Sequence, residues 1–133
     1  MKKRFFLIPL LCLLVCSCTE SVSNNKIVGS WALKSITYQE TLTDKSIEEE
    51  TYIEQEYFGP YFEFFSNGSY SLFGKIEGKW HLINENRIHL EGGYEDGTIY
   101  IIVNVTNSEL ILERNITTND HTNLKQIFYL YNI

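Results

Sequence analysis

Short apolar runs separated by clusters of turn-forming residues extend from residue 27 to the end of the chain, and this spacing constrains the fold more than any other feature. Asn67-Gly68 lies between two such runs, residues 62–65 and 70–73, where Asn-Gly is a strong hairpin signal. The other predicted strands are residues 29–38, 51–57, 76–83, 87–91, 98–105, 110–114 and 124–132. Because tight turns join these strands, we expect an all-β fold, an up-and-down antiparallel β-barrel of about eight strands.

Alternation along each strand divides the side chains between the barrel interior and its surface. On the central predicted hairpin, the inward residues are Trp80, Leu82, Ile88 and Leu90. A further apolar row is predicted from Ile99, Ile101, Val103 and Val105. The acidic stretch 43–56 lacks clear alternation, so we expect a loop over 43–50, with a short helix as the alternative.

The N-terminus has the three parts of a secretory signal peptide. Three basic residues, Lys2, Lys3 and Arg4, precede an apolar run over residues 5–15 that is too short to span a bilayer as a helix. The following Cys16-Ser17-Cys18 resembles the lipobox of bacterial lipoproteins, in which the residue before the modified cysteine is small. The resemblance implies a signal peptide over residues 1–17, acylation of Cys18, for example with palmitate, and a tether over residues 18–25. An ordinary signal peptide with incidental cysteines is the alternative.

The resemblance to lipoproteins also implies a location. Thr19, rather than Asp, follows the predicted lipidated cysteine. By analogy with lipoprotein sorting in bacteria with two membranes, this favours the outer membrane, facing the periplasm or the cell surface. The membrane contact would then be the lipid on Cys18, since several acyl chains are enough to hold a protein at a bilayer.

Composition limits the partners of the remaining single domain, residues 26–133. The whole chain has 11 basic residues, and three of them belong to the signal. The mature protein would therefore carry 8 basic residues against 17 acidic residues. A surface this acidic repels phosphate backbones, which excludes nucleic acid as a partner. Cys12 and Cys16 leave with the signal and Cys18 is acylated, so we expect neither a disulfide nor thiol chemistry.

Three motifs in order are similar to those of lipocalin-like domains in small bacterial lipoproteins: Gly29-Ser30-Trp31, then Phe64-Phe65-Ser66-Asn67-Gly68-Ser69-Tyr70, then Gly78-Lys79-Trp80. In lipocalins the glycine lets the chain turn into the first strand, and the tryptophan plugs the closed end of the barrel beneath an arginine near the last strand. Gly29 and Trp31 match these structural roles. The last predicted strand offers only Lys125, and Arg114 lies one strand earlier.

The resemblance implies a lipid-anchored protein that holds a small hydrophobic ligand in its barrel. The candidate ligand-binding residues are the aromatic side chains Trp80, Phe62, Phe64, Tyr70 and Phe73, which could equally fill the core. The alternative function is a periplasmic protein-interaction module with a packed barrel, such as an enzyme inhibitor or an envelope assembly component.

Neither catalysis nor a metal site is expected. No nucleophile elbow or phosphate loop is present, so we predict that the protein is not an enzyme and needs no cofactor. If Asn84-Glu85-Asn86 is a three-residue turn, His81 faces His89 across the hairpin and Lys79 faces Glu91. Two histidines are too few for a zinc site, so we expect a solvated cross-strand pair.

Overall fold

A computed structural model describes residues 24–42, 44–52, 59–116 and 124–133. The elements, in chain order, are α1 (Asn24–Ile27), β1 (Gly29–Thr41), β2 (Ile47–Tyr52), β3 (Phe62–Phe64), β4 (Ser69–Leu72), β5 (Lys75–Ile83), β6 (Arg87–Glu91), β7 (Ile99–Val105), β8 (Glu109–Ile116) and β9 (Leu124–Asn132). In this part of the chain, no helix has the length and apolar character needed to cross a membrane.

The sheet closes into an antiparallel barrel of eight strands with one extra strand, which confirms the predicted fold class. Neighbouring strands follow the order β2-β1-β3-β4-β5-β6-β7-β8-β9, and β1 closes the barrel by pairing with β9. The long β1 pairs with β9 along one edge, while its other edge pairs first with β3 over Gly29–Trp31 and then with β2 over Ile36–Thr41. The extra strand β2 therefore extends only the far half of β1.

An apolar core fills the half of the barrel nearest α1. The fully buried side chains include Phe62, Phe64, Tyr70, Ile88, Leu90, Tyr100, Leu110, Leu112, Phe128 and Leu130. Together with the buried Trp80 of β5, they come from every strand from β3 to β9 and face one another across the interior, as the alternation of inward and outward side chains requires. Burial of this many aromatic and branched side chains is the main stabilising contribution to the fold.

The closed end of the barrel is formed by α1 and the start of β1. Ile27 and Trp31 are almost completely buried there, and the Trp31 indole Nε1 donates a 2.8 Å hydrogen bond to the Ile27 carbonyl oxygen. Gly29 lies between them with φ of 148°, a backbone conformation that side chains disfavour. Arg114 pairs in register with Gln126, far along β9 from the Trp31–Asn132 pair, so no arginine covers Trp31 in the described residues.

The acidic stretch forms a strand where the sequence predicted a loop or a short helix. The strand β2 begins at Ile47, inside the predicted loop, and ends at Tyr52. Its last two residues belong to the predicted strand 51–57, of which residues 53–57 lie outside the described residues. Cross-strand contacts with β1 account for this: Gln39 Nε2 donates a 2.6 Å hydrogen bond to Glu49 Oε1, and the Tyr38 and Tyr52 rings meet edge to face. Such pairs stabilise a strand whose three consecutive glutamates have weak intrinsic preference for one.

The inward face of β7 also differs from the prediction. Ile99 and Val103 are 44% and 53% exposed, whereas Tyr100 and Ile102 are buried. The strand is apolar on both faces, so hydrophobicity alone does not select one. The register shift after Ile102 then returns Val105 to the core side, opposite Leu110.

The predicted signal peptide, the lipidation site at Cys18 and residues 18–23 of the predicted tether lie outside the described residues. Asn24 and Asn25, also assigned to the tether, instead begin α1. A helical turn follows, in which the Val28 amide donates to the Asn24 carbonyl at 3.0 Å. The helix α1 therefore lies immediately before β1.

Candidate functional site

Four of the five aromatic residues predicted to contact a ligand lie together in the core. Phe62 and Phe64 stack with ring centroids 5.4 Å apart, and Trp80 meets Phe64 edge to face at 5.4 Å. Tyr70 is fully buried, and its hydroxyl donates a 2.7 Å hydrogen bond to the Gly92 carbonyl. The fifth, Phe73, lies in the β4–β5 turn and is 51% exposed. Ligand contact by these side chains stays a prediction.

Above the apolar core, a polar layer crosses the barrel interior. Arg114 Nη1 lies 2.9 Å from a carboxylate oxygen of Glu95, and Arg114 Nε donates a 2.7 Å hydrogen bond to Gln126 Oε1. Gln126 in turn donates from Nε2 to the Tyr38 hydroxyl at 3.0 Å. Glu95, from the loop between β6 and β7, is only 6% exposed and also accepts a 3.0 Å hydrogen bond from Thr98. The buried Glu95 carboxylate is therefore paired with the partly exposed Arg114 and hydrogen-bonded, as burial of a charge requires.

The polar layer rests directly on core aromatic rings. The Arg114 guanidinium lies 5.5 Å from the Tyr100 ring centroid and 5.6 Å from that of Phe128, within the range of cation–π attraction. Burial raises the pKa of the Tyr100 hydroxyl well above its ordinary value, while the positive charge of Arg114 acts in the opposite direction. Tyr100 thus stays protonated and can donate to Glu95, whose oxygen is 3.4 Å away.

Beyond the polar layer, the barrel opens into a cleft of 630 Å³ between β1, β2 and the start of β9. Its described lining is Ile36, Tyr38, Glu40, Glu48, Glu50, Tyr52 and Leu124. On β9, the inward residues Leu130 and Phe128 lie in the core, Gln126 lies in the polar layer and Leu124 lies in the cleft. The cleft is thus the outermost section of the interior.

Aromatic rings form one corner of this cleft. Tyr38 and Tyr52 have ring centroids 5.5 Å apart with their planes at 83°. The Tyr52 hydroxyl donates a 2.7 Å hydrogen bond to Glu50, which raises the pKa of Tyr52, and the Tyr38 hydroxyl is held by Gln126. Both rings are therefore oriented by contacts within the protein.

No protein family model, no curated protein and no solved structure matches the chain.

The polar layer and the cleft were not predicted from the sequence, although the alternation of side chains contained a signal for the polar layer. Arg114 is in phase with the buried Leu110 and Leu112 on β8, and Gln126 is in phase with Phe128 and Leu130 on β9. Continuing those two inward rows by one step places both polar residues inside the barrel. The cleft could not be found this way because the register of β1 shifts between Leu33 and Ser35, which brings Ile36 and Tyr38 inward.

Proposed function

We propose that this chain is a lipid-anchored, lipocalin-like binding protein of the bacterial cell envelope, and that it holds a small ligand in the cleft at the open end of the barrel. The observation that carries this proposal is the cleft lining of two oriented tyrosine rings, two aliphatic side chains and three carboxylates. Its volume of 630 Å³ falls within the range of about 300–1,000 Å³ that small-molecule sites occupy.

The chemistry of the lining selects the ligand class. Ile36 and Leu124 offer apolar contact, and the Tyr38–Tyr52 corner offers ring faces that attract a cation. The described lining includes Glu40, Glu48 and Glu50 and no basic side chain, so it repels anions such as a fatty-acid carboxylate. We therefore propose a ligand that combines an apolar body with a cationic group.

Calorimetric titration of the full chain with two probes of equal chain length, hexyltrimethylammonium and hexanoate, tests this ligand class. We expect the cation to bind at least about tenfold more tightly, because ring faces and carboxylates both favour it. Replacing Tyr52→Ala should weaken binding of the cation about fivefold through loss of one ring face. Equal affinity for the two probes would contradict the proposal.

Two neighbouring glutamates supply a matched control for charge. Glu48 lines the cleft, whereas Glu49 is on the opposite face of β2 and accepts a hydrogen bond from Gln39. Glu48→Gln and Glu49→Gln make the same change in net charge one residue apart. Only the first should weaken binding, by about fivefold, if the carboxylates act locally inside the cleft. Equal losses would mean that the overall negative charge, and not the cleft, attracts the cation.

The envelope part of the proposal rests on Cys18 and is tested by the intact mass of the protein purified from bacterial membranes. We expect a chain that begins at Cys18 and carries acyl groups. Cys18→Ser should abolish the added lipid mass, and Cys16→Ser is the matched control, which should leave it unchanged. Lipid on the Cys18→Ser variant, or a mature chain without lipid, would contradict the assignment.

A second candidate function, binding of a basic protein, is favoured by the exposed strand β2. Within the described residues, β2 pairs only with β1, so its outer edge is open, and it carries the consecutive carboxylates Glu48, Glu49 and Glu50. An open edge can accept a strand from another protein. The probe titration separates the two candidates, because a protein-interaction module without a ligand site would bind neither small probe.

A further inference from the structure

On the outer face of the barrel, two histidines and a glutamate converge on one point. His81 on β5 and His89 on β6 are directly paired across the hairpin, and Glu91 lies two residues beyond His89 on the same face. His89 Nδ1 lies 3.4 Å from His81 Nε2 and 3.5 Å from Glu91 Oε1. His81 Nδ1 lies 3.9 Å from the same carboxylate oxygen.

We propose that His81, His89 and Glu91 form a binding site for a divalent transition-metal ion, with zinc as the expected occupant. Each residue offers one ligand atom, and these three atoms all lie within 4.8 Å of one another. Two atoms that each lie about 2.0–2.1 Å from a tetrahedral zinc ion are roughly 3.3 Å apart. The His81–His89 and His89–Glu91 separations are therefore close to those of a loaded site.

The ligand types select the metal. Imidazole nitrogen suits zinc, copper and nickel, whereas magnesium and calcium prefer sites made of oxygen atoms only. Two histidines and one carboxylate are a ligand set that zinc accepts, leaving a fourth position for water or an outside ligand. The side chains of His81 and Glu91 are each about half exposed, so an ion can reach them from solvent.

The framework around this site is already ordered. The turn Asn84–Asn86 fixes the register in which His81 faces His89, and Trp80 and Leu90, one residue away on each strand, are buried in the core. The ligands therefore project from two strands that the core holds in place. The sequence predicted no metal site because it offers only two facing histidines, whereas in the structure Glu91 lies diagonal to His81 and completes a set of three ligands.

Calorimetric titration of the metal-stripped full chain with zinc chloride tests the proposal. We expect one zinc ion per chain, with binding unaffected by a large excess of magnesium. His81→Gln and His89→Gln should each weaken binding at least about tenfold, and Glu91→Gln should also weaken it, because each removes a ligand. Circular dichroism of each variant should match the parent, since these side chains lie outside the core.

Glu85→Gln is the matched control for the carboxylate. Glu85 lies in the turn of the same hairpin, so this change alters the net charge by the same amount as Glu91→Gln without removing a proposed ligand. It should leave zinc affinity within about twofold of the parent. The proposal is overturned if the parent shows no saturable zinc binding, if the two histidine variants bind like the parent, or if Glu85→Gln costs as much as Glu91→Gln.

Discussion

Trp31→Ala should reduce the free energy of unfolding by about 3–5 kcal/mol, the cost of removing a large aromatic side chain from a core. Trp31 is 1% exposed at the closed end of the barrel and packs with Ile27. Its removal leaves a cavity between α1 and the barrel and leaves the Ile27 carbonyl without the indole donor. Urea unfolding followed by far-UV circular dichroism measures the change.

Trp31→Phe separates packing from hydrogen bonding. This variant keeps most of the ring volume and loses the 2.8 Å bond to the Ile27 carbonyl. We expect a loss of about 1–2 kcal/mol, because a buried acceptor is left without a partner. If Trp31→Ala cost less than about 1 kcal/mol, the closed end would not depend on this residue, and its assignment as the structural plug would be wrong.

Arg114→Met should reduce the free energy of unfolding by about 3 kcal/mol, because it leaves the Glu95 carboxylate buried without its cation. Glu95 is 6% exposed and lies 2.9 Å from Arg114. Met retains apolar contact with the Tyr100 and Phe128 rings, so the predicted loss is mainly electrostatic. Thermal and urea unfolding of the variant, compared with the parent, give the value.

Two comparisons test the cause of that loss. Combining Arg114→Met with Glu95→Leu removes both charges, and the stability should return to within about 1 kcal/mol of the parent. Lys125→Met breaks the ion pair on the outer surface in which Lys125 Nζ lies 3.4 Å from Glu113 Oε1. This change should reduce the free energy of unfolding by less than about 1 kcal/mol. A double variant as unstable as Arg114→Met would show that the loss comes from packing.

The turns are the part of the fold that the sequence predicted best. The Asn67-Gly68 hairpin forms as expected, with Gly68 at a φ of 88° and the Ser69 amide donating to the Asn67 side chain at 2.9 Å. The three-residue turn Asn84–Asn86 likewise sets the predicted pairing of His81 with His89. Short turns of this kind fix register locally, so a single sequence contains the information.

Strand faces and long-range pairs were harder to predict. The strand β2 depends on partners in β1, such as Gln39 for Glu49 and Thr37 for Thr51, which no local pattern contains. The strand β7 is apolar on both faces, and the buried position of Tyr100 depends on the space between Ile88, Phe62 and Phe128. These features are decided by tertiary packing and not by residue preference.

Ligand contact in the aromatic core stays a prediction, whereas the cleft was not predicted from the sequence. Sequence analysis expected a ligand among Phe62, Phe64 and Trp80, and the structure places these rings in contact with one another in the core. The cleft is lined instead by Tyr38 and Tyr52. These two residues come together because β1 has a register shift and because β2 pairs with the part of β1 that follows this shift. Neither event leaves a signature in hydrophobic alternation.

The central claim is that the ligand site is the cleft at the open end and not the aromatic core. The most direct measurement is NMR of the isotope-labelled full chain during titration with hexyltrimethylammonium. We predict saturable shifts of the Tyr38, Tyr52 and Leu124 amide resonances, with the Trp80 indole resonance unchanged. A Trp80 indole shift as large as that of Tyr52, or no saturable shift at Tyr52, would contradict the account.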